Sequence, residues 1–137
     1  MHASREKIFQ TAADVGNWPK FLPHYRYVRY LERTGDRAIV KMSARRDFIP
    51  VTWVSELVID RERGEVRFKH LRNWTKGMDA IWTFETLNSG IQVNIEHNLH
   101  FRVPALRSVV EPIISRFFID HIANRTLKHM KLFVEKS

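Results

Sequence analysis

From residue 25 to residue 101 the chain keeps a period of two while reversing direction at short intervals. Six segments follow one another: YRYVRYLER, RAIVKMSARR, VTWVSELVID, EVRFKHL, MDAIWTFETL and IQVNIEHNLHF. The first, third and fifth junctions carry turn residues, Gly35-Asp36, Arg61 to Gly64, and Asn88-Ser89-Gly90. Alternation places successive side chains on opposite faces of a strand. Connections this short join antiparallel neighbours, because a parallel crossover needs roughly a dozen residues or more. The pattern therefore predicts a six-stranded antiparallel meander and excludes a doubly wound parallel sheet.

The flanks are helical. Ser4 is placed to cap a helix over Ser4 to Asp14, with Ile8, Phe9, Ala12, Ala13 and Val15 at three- and four-residue spacings and Glu6 in the positive first turn. Gly16 ends it, and NWPKFLP then forms a corner with one more short helical turn starting at Pro19. Past Pro104 an apolar-periodic run reaches the end of the chain. Pro112 lacks the amide to continue a helix across it, so the main C-terminal helix is expected from about Pro112 to Glu135. The fold class that follows is α+β: a curved antiparallel sheet wrapped on a long C-terminal helix, with a short N-terminal helix pair. One helix cannot fill the hollow of a strongly curved sheet, and a cavity lined by inward-facing strand residues is the natural by-product.

Strand parity gives the inward set as Val51, Trp53, Ser55, Leu57 and Ile59; then Val66, Phe68 and His70; then Met78, Ala80, Trp82 and Phe84; then Val93, Ile95, His97, Leu99 and Phe101. Ser55, His70 and His97 interrupt this apolar surface. An imidazole there is either a hydrogen-bonded core residue or a base working near neutral pH. Ser55 lacks a nucleophile-elbow context. His97 and His100 differ in strand parity, and His121 and His129 lie on a helix at a spacing that suits no ligand pair, so no metal is expected. With five glycines and no phosphate-binding loop, no cofactor is expected either.

At 137 residues the chain fits one domain, residues 1–137, with 44% hydrophobic residues to fill its core. It has no cysteine, no run long enough to span a bilayer and no secretory leader, and is expected to be soluble and cytoplasmic. The net charge of +8 favours an acidic partner, either an acyl carrier protein or an anionic membrane surface. A nucleic-acid partner would rest on charge alone, since no recognition motif accompanies it, and none is expected.

The corner DVGNWPKFLPHYRYV, the strand VTWVSELV, the hairpin AIWTFETLNSGIQVNIEH and the closing NRTLKHMKLFVE together resemble the polyketide cyclase/dehydrase, aromatase/cyclase-like branch of the START-like helix-grip superfamily. The resemblance covers nearly the whole chain. It implies a deep apolar pocket between sheet and C-terminal helix, with NWPKFLP as a lip at its mouth. It also implies aldol ring closure and dehydration of a poly-β-keto chain, with Tyr25 at the position of a functional tyrosine. Two departures stand out. Those cyclases carry an arginine where this chain has Leu57, and an aliphatic side chain cannot polarise a carbonyl. Family members also begin with a strand that pairs with the last one, whereas only Met-His-Ala precedes Ser4 here, leaving an edge that favours a homodimer.

The candidate catalytic residues are Tyr25, His97 and His70. The candidate pocket residues are Trp18, Phe21, Met42, Trp53, Ser55, Leu57, Trp74, Met78, Trp82, Phe101 and Phe117. Trp18 and Trp74, beside loops, are expected to stack on a ligand, and Trp53 and Trp82 to serve core packing. Three functions stand: a polyketide cyclase, a carrier of a lipid, isoprenoid or quinone resembling coenzyme Q-binding relatives, and a ligand sensor acting through a partner.

Overall fold

The Ser4 hydroxyl accepts a hydrogen bond from the backbone N–H of Lys7 at 3.1 Å and so starts helix α1, Arg5–Ala13. This helix buries Ile8, Phe9, Ala12 and Ala13 along one stripe. A 3-10 turn, Val15–Asn17, and a single-turn helix α2, Trp18–Phe21, complete the corner. Pro19 sits in the first turn of α2, where its missing amide leaves no intrahelical bond unmade. The computed structural model describes residues 1–46, 48–71, 76–99, 112 and 115–136.

Six strands follow: β1 Tyr25–Thr34, β2 Arg37–Arg46, β3 Ile49–Asp60, β4 Glu65–His70, β5 Met78–Leu87 and β6 Gly90–Leu99. Their order in the sheet is their order in the chain, and every pairing is antiparallel. Register shifts in β1, between Tyr25 and Tyr27 and between Tyr30 and Glu32, mark bulges that increase local twist. Because register fixes facing, inward residues line up across strands: Leu57 beside Phe68, Phe68 beside Ala80, Ala80 beside His97. A second row runs Val66, Trp82, Ile95. These rows and α1 share one core with residues of β2, the corner and the C-terminal helix.

The C-terminal helix departs from the expected single α-helix. Residues Ser115–Ala123 form a π-helix, and α3, Asn124–Lys136, continues from it. Thr126, Met130 and Val134, four apart, are the buried face of α3. Phe133 on the same helix is 42% exposed and stacks on Phe21 with centroids 4.3 Å apart.

The chain start meets the last strand. The Met1 ammonium donates to the Ile91 carbonyl at 2.6 Å, and the Ile91 N–H donates back to the Met1 carbonyl at 2.9 Å. Met1 thereby pins the head of β6. Gly90 makes this approach feasible: at φ +135° it holds a conformation L-residues avoid, and a Cβ there would stand 2.8 Å from the Met1 carbonyl oxygen.

The cavity between the sheet and the C-terminal helix

A cavity of about 50 Å³ lies between the inner sheet face and the helix. Its wall combines Trp18, Tyr25, Met42, Trp53, Phe68, Met78, Ala80, Trp82, Ile95, Ile122 and Ala123 with His70, His97 and Thr126. The space suits a few water molecules and falls far short of the several hundred Å³ around a typical ligand, so a larger occupant has to part these side chains.

Trp18 is the hub of the aromatic wall. It lies 5.4 Å from Tyr25, 5.7 Å from Phe68 and 5.4 Å from Trp82 between ring centroids, and its indole N–H donates to the Thr11 carbonyl at 3.2 Å. At 2% exposure it is a core residue that also faces the cavity. Two consecutive corners of chain, α1 to α2 and α2 to β1, fold it inward. Trp53 and Trp82 likewise combine both roles, being buried and on the cavity wall.

The polar groups come from four elements. The Tyr25 phenol, at the head of β1, shares the cavity wall with the Thr126 side chain on α3. His24 Nε2 lies 2.9 Å from the same Thr126 Oγ1. Which of the two donates follows the imidazole tautomer. His70 on β4 lies parallel to the Trp53 indole, with centroids 6.2 Å apart and 18° between planes. His97 on β6 completes the set.

Burial dictates the protonation of these groups. It lowers His70 to about 3, helped by neighbouring His97, and lowers His97 to about 4. His24 falls to about 4, through burial first and then through His129, His121 and Arg125. Burial raises the Tyr25 phenol well above its ordinary value, against a smaller opposing effect of the Thr126 side chain. At neutral pH the cavity therefore offers a protonated phenol and two neutral imidazoles. Each can hydrogen-bond to a carbonyl or hydroxyl, and none presents a fixed charge.

Tyr25, His70, His97, Trp18, Met42, Trp53, Met78 and Trp82, singled out in the sequence, meet on this one cavity. Ser55 and Leu57 are fully buried on the same sheet face but outside its lining, and Phe21 packs on Phe133 beside a separate surface groove. Trp74, Phe101 and the Phe117 side chain lie outside the described residues. Phe68, Ala80 and Ile95 share the inward parity and were recoverable from it. His24 and Thr126 were not: one precedes a strand, the other is a lone hydroxyl on a helix, and their contact spans 102 residues. Among the described residues no group of three or more His, Asp or Glu side chains is placed to hold a metal ion.

An antiparallel sheet closed over a C-terminal helix, with an apolar cavity between them, is the helix-grip architecture. The chain belongs to the polyketide cyclase/dehydrase and lipid transport family, which matches residues 1–128. It is 30% identical over 92 residues, 65% of this chain and 84% of the relative, to a Streptomyces halstedii protein provisionally named a polyketide cyclase. Among solved structures it resembles a Thermus thermophilus protein, with a TM-score of 0.80 at 18% identity over 99% of this chain and 92% of that one. The Zhui aromatase/cyclase of Streptomyces sp. R1128 superposes with a TM-score of 0.71 at 18% identity, covering 94% and 87% of the two chains. A Mycobacterium smegmatis START superfamily protein gives 0.72 at 15% identity, covering 99% and 92%.

Proposed function

We propose that the cavity takes an apolar, carbonyl-bearing small molecule of the polyketide type and promotes its aldol ring closure and dehydration. The observation that carries this reading is the convergence of Tyr25, His70 and His97 on one cavity whose other walls are aromatic and aliphatic. The Tyr25 phenol, kept protonated by burial, donates to a carbonyl oxygen and steadies the charge that develops there. His97 or His70 accepts a proton from a methylene flanked by two carbonyls; the resulting carbanion attacks a second carbonyl, and the new alkoxide takes a proton back. Loss of water then forms the conjugated ring. An imidazole held near 4 is a weak base in the empty cavity, and the negative charge of an enolate beside it raises its basicity.

A second reading, non-catalytic carriage of a lipid, isoprenoid or quinone, is favoured by Leu57, which puts an aliphatic side chain where the cyclase reading calls for an arginine. Incubation with a poly-β-keto thioester separates the two. The cyclase reading expects an aromatic product lighter by water, with turnover lowered by Tyr25→Phe and by His97→Gln while binding persists. Binding without turnover in the unaltered protein would leave the carrier.

A further inference from the structure

We infer that the tip of the β2–β3 hairpin docks the protein on an anionic lipid bilayer. Phe48 is 96% exposed and Ile49 67%, whereas the other exposed large apolar side chains among the described residues lie between 41% and 48%. The fold does not require this. The hairpin register is set by the long β2–β3 pairing from Arg37 with Val58 to Arg46 with Ile49, and a polar residue would serve the turn as well as Phe48. An apolar tip kept in water is a contact surface awaiting a partner.

The charge around the tip selects the partner. Arg45 is exposed beside it, and Arg26, Arg116 and Arg125 are exposed on the neighbouring strand and C-terminal helix, where Asp120 and, near the far end of the helix, Glu135 are the exposed acids among the described residues. Among the described residues none of these four arginines enters an ion pair. At the opposite end of the sheet Arg61 pairs with Asp36 at 3.1 Å and Arg63 with Asp60 at 3.9 Å. Arg33 and Arg37 at that end are exposed as well, so what sets the Phe48 end apart is the combination of unpaired arginines with exposed apolar side chains. Side chains that enter the acyl boundary, ringed by arginines at headgroup level, fit a negatively charged membrane.

The tip is also tied to the cavity frame. The Arg45 N–H donates to the His24 carbonyl at 2.8 Å, His121 Nε2 lies 3.1 Å from the Arg45 carbonyl, and His24 holds Thr126 on the cavity wall. Docking there would bring the cavity's end of the molecule against the phase in which a hydrophobic ligand dissolves. This holds whether the cavity is catalytic or a carrier's, so vesicle binding and turnover fail independently.

The test is sedimentation of the full chain with vesicles of phosphatidylcholine alone and of phosphatidylcholine mixed with phosphatidylglycerol. Binding is expected to the mixed vesicles only and to weaken with added salt. Replacing both Phe48→Ser and Ile49→Ser is expected to lower the bound-to-unbound ratio about tenfold or more, with the thermal midpoint unchanged because both side chains already face water. Phe48→Trp is expected to retain binding and to be quenched by brominated acyl chains. Absence of vesicle binding, or binding untouched by the double replacement, would overturn the inference. So would a dimer in sedimentation velocity that the double replacement dissolves, since the tip would then join two copies of the chain.

Discussion

His24 Nε2 stands 2.9 Å from Thr126 Oγ1, and that contact joins the entry to the first strand to the last helix across 102 residues. His24 and Thr126 are both buried, and among the described residues His24 Nδ1 has no partner. The pair leaves little room for substitution. Thr126→Val keeps shape but strands His24 Nε2, and a loss of about 1–3 kcal/mol is expected in denaturant unfolding. A wild-type midpoint would show that the contact contributes nothing.

Three lowered imidazoles give the stability a direction in pH. His24, His70 and His97 titrate in the fold near 4, 3 and 4, against an ordinary value of 6.5. The unfolded chain therefore binds protons more readily, so stability from these groups is complete above 6.5 and is lost as pH falls toward 4 and below. Thermal midpoints across that range are expected to fall with acid, and less steeply in His70→Gln. Equal slopes in the two proteins would exclude His70 as a contributor.

Trp18→Ala removes the hub of the aromatic wall. A core truncation of this size is expected to cost about 3–5 kcal/mol, so lost ligand binding in that variant would report lost folding. Trp18→Phe keeps most of the volume and is the variant in which binding and stability can be read apart. A mild loss of stability in Trp18→Ala would place the indole outside the core.

Leu57→Arg inserts the cyclase-like arginine at a site only 1% exposed and off the cavity lining. An unpaired buried charge is expected to cost several kcal/mol and to give an unstable or insoluble protein. A stable variant with raised turnover would mean that an arginine there reaches the substrate.

The sheet was legible because its two determinants are local. Parity put Phe68, His70, Trp82 and His97 on the inner face, and turn residues at Gly35, Gly64 and Asn88 set the reversals where the strands end. Trp18 was legible as a pocket residue but its burial in the core was not, because sequence distance from a strand says nothing about where two successive corners aim a side chain. The contact between His24 and Thr126 was illegible for another reason: both partners look ordinary alone, and only tertiary packing makes them a pair. The break from α- to π-helix at Ser115–Ala123 left no mark in the apolar spacing, which fits either winding.

That winding sets a reading frame for the far end of the molecule. A π turn holds an extra residue relative to an α turn, so the segment behaves like an insertion absorbed without a loop. Ile122, Ala123 and Thr126 reach the cavity only in the phase it imposes. Deleting one residue there would leave composition and hydrophobicity almost unchanged, yet would turn every later side chain by about 100°, carrying Thr126 away from Tyr25 and His24 and Met130 out of the core.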